Sequence, residues 1–293
     1  MRFTGTHTAL ITPFRDNQID VDAFKALVER QIAGGVDGIV PVGTTGESPT
    51  LDMEEHIDVI RLAVETAAGR CIVIAGSGAN ATAEAIELTQ AAEKVGADAT
   101  LQVCPYYNKP SQEGIYRHYR AIAEATELPI MLYSVPGRAG IEIATDTAAR
   151  LAADCKNITA IKEAGGSVDR VNQLVQALPA DFGILCGDDP LTLPFIACGA
   201  NGLVSVAANV VPDIMARIVR ACLNGSFDEA LELQKRHYPL FNGLMTLDVN
   251  PVPVKTAAAL LGHCTDEFRL PLVPATPEVR ERIAEILREQ GLL

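Results

Sequence analysis

Tryptophan is absent from this sequence, and aromatic residues make up only 5% of it. A surface that stacks nucleic-acid bases needs such rings, so that class of partner is disfavoured. Positive charge is also scarce: 24 Lys and Arg stand against 37 Asp and Glu, a formal net charge of −13. The chain as a whole repels a phosphate backbone, which leaves room only for a local basic pocket facing a small acidic metabolite. No C-x-x-C occurs. The cysteines (Cys71, Cys104, Cys155, Cys186, Cys198, Cys222 and Cys264) are scattered singly, an odd set that reads as reduced thiols in a cytoplasmic protein. The histidines (His7, His56, His118, His237 and His263) show no ligand spacing, so neither a metal nor another cofactor is expected. No apolar run is long enough to span a bilayer, and the opening "MRFTGTHTALITPF" lacks the apolar stretch of a signal peptide. The expectation is a soluble cytoplasmic protein without membrane or nucleic-acid partners.

What is present is an ordinary globular composition, 48% hydrophobic, with a regular alternation of patterns. Eight β-rich runs occur: "GTHTALITP" (5–13), "GIVPVG" (38–43), "CIVIAG" (71–76), "ATLQVCP" (99–105), "PIMLYSVP" (129–136), "ITAIKEA" (158–164), "FGILCGD" (182–188) and "GLVSVAAN" (202–209). Between them apolar residues recur at helical spacing, as in Val21, Phe24, Leu27, Val28 and Ile32, closed by Gly34 and Gly35. Each unit is long enough for a right-handed βαβ crossover. Eight units predict an α/β fold, a closed (β/α)8 TIM barrel over residues 1–224. Residues 225–293 carry helical patterns only and are expected to form a C-terminal helical extension packed on it. The competing architecture is an open doubly wound sheet.

Lys162, in "ITAIKEAGG", stands out within this frame. Ile158, Ala160 and Lys162 share one face of a strand; if that face points inward, the amine lies near the C-terminal mouth, where barrel active sites are built. One reading is a mouth lysine paired with a carboxylate such as Glu163 or Asp188. The other is a Schiff-base lysine, since burial of an amine in apolar surroundings favours its neutral, nucleophilic form. The other six lysines fall in helical or loop patterns and lack this context. Tyr133 has the same phase one strand earlier, placing a phenol able to relay protons beside the amine. Arg138, between two glycines just past that strand, has the fork geometry for a carboxylate. The turn "GTTGES" (43–48) sets two glycines around Thr44 and Thr45 and can form a nest for an anion. In "CIVIAGSGANATAEAIELTQ" a G-x-G-x-x-A mimics a dinucleotide fingerprint. It belongs to the third unit, and no acidic residue for a ribose ends the next strand, so nicotinamide binding is disfavoured.

At "GTTGES", "YYNKPSQEG", "LYSVPGRAG", "IKEA" and "GDD" the chain resembles the dihydrodipicolinate synthase (4-hydroxy-tetrahydrodipicolinate synthase) family over nearly its full length. "GTTGE" and the Tyr–Lys strand pair are shared with the wider N-acetylneuraminate lyase superfamily of pyruvate-dependent class I aldolases. Arg138 and the "YYN" pair narrow the resemblance. It implies that pyruvate forms an imine on Lys162 and that the resulting enamine attacks L-aspartate-4-semialdehyde, a step of lysine and diaminopimelate biosynthesis. It also implies a proton relay of Tyr133 and Thr44 with Tyr107 from a neighbouring subunit, pyruvate's carboxylate at Thr44 and Thr45, and the semialdehyde's carboxylate at Arg138. Gly187 and Val204 are implied to line the pocket through their backbone, and the assembly to be a homotetramer, a dimer of dimers. Some members are inhibited by L-lysine; the matching positions are Ser48, His56, Asn80, Glu84 and Tyr106. Pro49 and Met53 depart from the pattern of sensitive members, and Ala139 replaces a threonine common after the arginine. Two competing functions are a related aldolase acting on a sugar acid, which Arg138 argues against, and a non-catalytic binding barrel.

Overall fold

The computed structural model describes residues 3–293. Eight strands form the barrel: β1 (Gly5–Ala9), β2 (Gly38–Val40), β3 (Ile72–Gly76), β4 (Ala99–Val103), β5 (Ile130–Ser134), β6 (Ile158–Glu163), β7 (Gly183–Cys186) and β8 (Gly202–Ser205). Each lies within one of the eight runs expected from the sequence. All neighbours are parallel, and β1 pairs with both β2 (His7 opposite Gly38) and β8 (Gly5 opposite Gly202). That double pairing closes the ring and rejects the open sheet.

The crossover helices are α1 (Val21–Ala33), α2 (Met53–Ala67), α3 (Thr82–Lys94), α4 (Gln112–Ala123), α5 (Thr145–Asp154), α6 (Val168–Ala177), α7 (Thr192–Ala197) and α8 (Pro212–Leu223). Their starts follow local chemistry. Asp52 accepts from the Glu55 amide while Glu55 reaches back to the Asp52 amide, a reciprocal cap that fixes where α2 leaves the loop after β2. Beyond the barrel lie α9 (Phe227–Thr246), α10 (Val252–Leu260) and α11 (Pro277–Glu289). α9 packs on α7 and α8, and α11 packs on both α9 and α10.

The barrel strands are buried, with Ile39, Ile74, Leu132, Ile161 and Leu203 among their apolar contributors and His7, Gln102 and Glu163 among the buried polar ones. The glycines of the mimic fingerprint serve this packing. A Cβ on Gly76 would fall 2.5 Å from the Val42 carbonyl oxygen, and one on Gly78 would fall 2.3 Å from the Val103 nitrogen. They admit close backbone approach at the barrel rim rather than a cofactor. Five of the seven cysteines are buried and all are free. Among the described residues no helix is long and apolar enough to cross a membrane, and no cluster of His, Cys, Asp and Glu could hold a metal.

Candidate active site

Lys162 sits at the penultimate position of β6 and is 6% exposed. Directly opposite it on β5 is Tyr133, and the Lys162 Nζ lies 4.2 Å from the centre of that ring. A register shift sets this alignment. Ile130 pairs with Ile158 but Met131 pairs with Ala160, so β6 carries one extra residue, Thr159, and everything beyond it moves up by one. Without that bulge Tyr133 would face Ile161, and the amine would stand one residue out of step with the phenol.

Neither carboxylate considered as a structural partner takes the amine. Among the described residues, Lys162 has no hydrogen bond or ion pair. Glu163, on the opposite face, accepts from the Gly165 amide at 2.7 Å and faces the Arg170 guanidinium at 3.5 Å; burial raises its carboxyl above the usual range. Asp188 lines the same cavity as Lys162, and burial raises its carboxyl too. Gly187 gives the lysine its room, because a Cβ there would fall 3.0 Å from Lys162 Cε.

The cavity at this mouth has a volume of about 450 Å³. Thr45, Tyr133, Arg138, Lys162, Gly187 and Asp188 line it, together with Val206 and three residues of the C-terminal segment, Met245, Val249 and Asn250. Arg138 is held by its Nη2 donating to the Asn250 carbonyl at 3.0 Å, and the Asn250 amide donates to the Thr45 hydroxyl at 3.0 Å. Val204, expected in this wall, is fully buried in β8 and does not line the cavity; Val206, two residues on, takes that place. The strand ends at Ser205, where the chain turns over the mouth, and Asp189 pins that turn by accepting from the amides of Val206 and Ala207, both at 2.9 Å.

Thr44 and Thr45 lie in a tight turn with backbone bonds from the Gly46 amide to the Gly43 carbonyl (3.0 Å) and from the Glu47 amide to the Thr44 carbonyl (3.2 Å). Thr44 faces a small cavity of about 40 Å³ shared with Tyr133, Ser48 and Val103. That cavity shares Thr44, Ser48, Gly78 and Val103 with a second large one, of about 440 Å³, lined also by His56, Glu84, Tyr106 and Arg138, with Pro49 and Met53 in its wall. His56 is bonded through its ring to the Gly76 carbonyl at 2.7 Å, and burial holds it below the usual histidine range. Asn80 is not in this lining. Its side chain donates to the Tyr106 carbonyl at 3.1 Å, so it braces the loop that carries Tyr106. Tyr107 lines none of these cavities: it is 89% exposed, with φ at 72°.

Two features are not foreseen by the sequence pattern. The C-terminal segment forms part of the cavity wall, for which the residues near Asn250 hold no local signal. Lys255, which reads as an ordinary helical lysine, is completely buried in α10 and paired with Glu47 at 2.7 Å. Its apolar neighbours in "PVPVKTAAALLG" are the available clue.

Comparison with known proteins agrees with this fold. A family model described as the Dihydrodipicolinate synthetase family matches residues 2–290. The 4-hydroxy-tetrahydrodipicolinate synthase of Persephonella marina is 50% identical over 292 residues, covering 99% of both chains. The chloride-inhibited dihydrodipicolinate synthase of Acinetobacter baumannii complexed with pyruvate superposes with a TM-score of 0.96 at 44% identity, over 99% of each chain. The enzyme from Cyanidioschyzon merolae with lysine bound gives 0.96 at 40% identity, again over 99% of each.

Proposed function

This chain belongs to the dihydrodipicolinate synthetase family and carries 4-hydroxy-tetrahydrodipicolinate synthase activity; we propose that Lys162 is its Schiff-base residue. The observation that carries the assignment is a buried amine without a protein partner, 4.2 Å from the Tyr133 ring, on the wall of the mouth cavity. The Lys162 amine attacks C2 of pyruvate and water leaves, giving an imine. Loss of a C3 proton gives the enamine, whose C3 bonds to the aldehyde carbon of L-aspartate-4-semialdehyde. The amine of that substrate then attacks C2 and expels Lys162, closing the ring.

Tyr133 is the proton relay, with Thr44 beside it across the small cavity. Thr45 and the turn amides receive the pyruvate carboxylate. Arg138, in the wall of the mouth cavity and held by Asn250, receives the semialdehyde's carboxylate. Tyr107 completes the relay from a second copy of the chain, a role supported by its exposure here and by exposed Tyr106, Leu270 and Val273. The assembly is a homotetramer built as a pair of dimers, and its setting is the cytoplasm. L-Lysine is the ligand of the second large cavity, with Glu84 taking its ammonium group; Pro49 and Met53 in that wall tune the affinity.

The test is incubation with pyruvate, borohydride reduction and peptide mapping by mass spectrometry. A reduced adduct on Lys162 is expected, and its absence rejects the assignment. A coupled assay with aspartate semialdehyde against sugar acids then decides the second substrate, and sedimentation with lysine titration tests assembly and inhibition.

A further inference from the structure

The turn that carries Thr44 and Thr45 is held in costly backbone conformations at both ends. Val42 has φ at 50° and Glu47 has φ at 56°. A β-branched residue such as Val42 is a rare occupant of that region, because its side chain crowds the backbone there. Conformations of this kind persist only where the surroundings over-determine them.

The surroundings here come from far along the chain. The Glu47 carboxylate accepts from Lys255 Nζ at 2.7 Å and from the Arg269 amide at 3.3 Å. Both members of the ion pair are wholly buried, and the Lys255 amine also lies 4.2 Å from the Phe14 ring centre and 4.8 Å from that of Phe268. On the side facing the cavity, Asn250 holds the Thr45 hydroxyl. Arg269 grips the segment between the turn and the first turn of α2, donating to the Thr50 carbonyl and to both Glu55 oxygens. A buried ion pair is a poor source of stability compared with apolar packing, but it fixes one geometry, because an unpaired charge has nowhere else to go.

We propose that the Lys255–Glu47 pair is a positioning device for the reaction, holding the Thr44–Thr45 turn in the one conformation that receives the α-keto acid's carboxylate. The inference rests on the role given to that turn above. Neither residue touches substrate; the pair acts through the turn, and so governs the first substrate and not the second.

Two variants test this. Lys255→Met/Glu47→Met removes both charges at similar volume and is expected to fold. Glu47→Asp keeps both charges, tolerates the left-handed conformation and shortens the reach by one methylene. For each folded variant the measurements are the pyruvate concentration that half-saturates borohydride trapping on Lys162, KM for pyruvate, and KM for the semialdehyde. The first two are expected to rise about tenfold or more, as small misplacements of positioning groups do, with the third within about twofold. A purely structural pair would lower the melting temperature and leave the pyruvate dependence of folded protein unchanged; that result in Glu47→Asp overturns the inference alone. No adduct in the unaltered protein overturns it together with the role of Lys162.

Discussion

Two lysines lie inside this molecule, and they are buried in opposite ways. Lys255 has a carboxylate at 2.7 Å and two aromatic rings around its amine, and it lines neither of the two large cavities. Lys162 has a cavity of about 450 Å³, a phenol ring at 4.2 Å and no carboxylate. Burial alone therefore does not mark a reactive amine. What sets Lys162 apart is burial beside open space, with no carboxylate at ion-pair distance. The Glu163 carboxylate next in sequence is turned to the other face of β6 and engaged by Gly165 and Arg170.

This contrast is broken most directly at Lys162. Lys162→Ala is expected to lose roughly 10³-fold or more of kcat/KM and all borohydride-trapped adduct, with little change in melting temperature. Lys255→Met should behave in reverse. It leaves a buried carboxylate unpaired, so chemical denaturation should report a loss of about 3–5 kcal/mol, while surviving folded protein still forms the adduct at saturating pyruvate. Comparable stability losses in the two variants would erase the distinction.

Arg138→Ala removes the charged fork at the mouth. Loss of one such charged contact is worth about 1.5–3 kcal/mol, which is a roughly 10- to 100-fold rise in KM for the semialdehyde; trapping of pyruvate should be unaffected. A rise confined to pyruvate would reassign the arginine.

A third buried base sharpens the rule with the smallest effect. His7 in β1 is fully buried, and desolvation outweighs the nearby Asp37 carboxylate and Thr4 backbone, lowering its pKa to about 4. Between about pH 6.5 and 4 the unfolded chain binds a proton at this residue that the folded chain refuses, so stability falls as pH drops through that window. Unfolding measured from pH 7 to 5.5 should show a loss of about 1 kcal/mol from this group, absent in His7→Gln. Equal slopes in both proteins would refute the sign.

Much of this was legible in the residues. All eight strands fall within their expected runs, because a parallel strand buried on both faces must be a short continuous apolar segment, and the helices between them carry their own period. Lys162, Tyr133 and Arg138 were readable as a group because alternation in two successive strands placed them at one end. Gly187 and Thr45 also line that cavity. Val206 in the cavity wall was not foreseen beside Val204, since strand alternation does not say where the chain leaves the strand and Asp189 begins to hold it. The bond from the Asn80 side chain to the Tyr106 carbonyl was not readable, because a local pattern does not show which loop an amide meets.

Periodicity, turn chemistry and the order of units along the chain are local properties, and they determined by themselves the eight alternating strand and helix units and the strand end near which Lys162 and Tyr133 fall. Closure of the ring was settled by the pairing of β1 with both β2 and β8. Three matters were decided only in three dimensions: the Thr159 bulge that brings Tyr133 level with Lys162, the closing of the mouth by residues 245–250, and the pairing of Lys255 with Glu47 across 208 positions of chain. Each depends on which backbones and charges meet after the ring has closed. Desolvation and pairing are set by those neighbours and not by the residues adjacent in sequence.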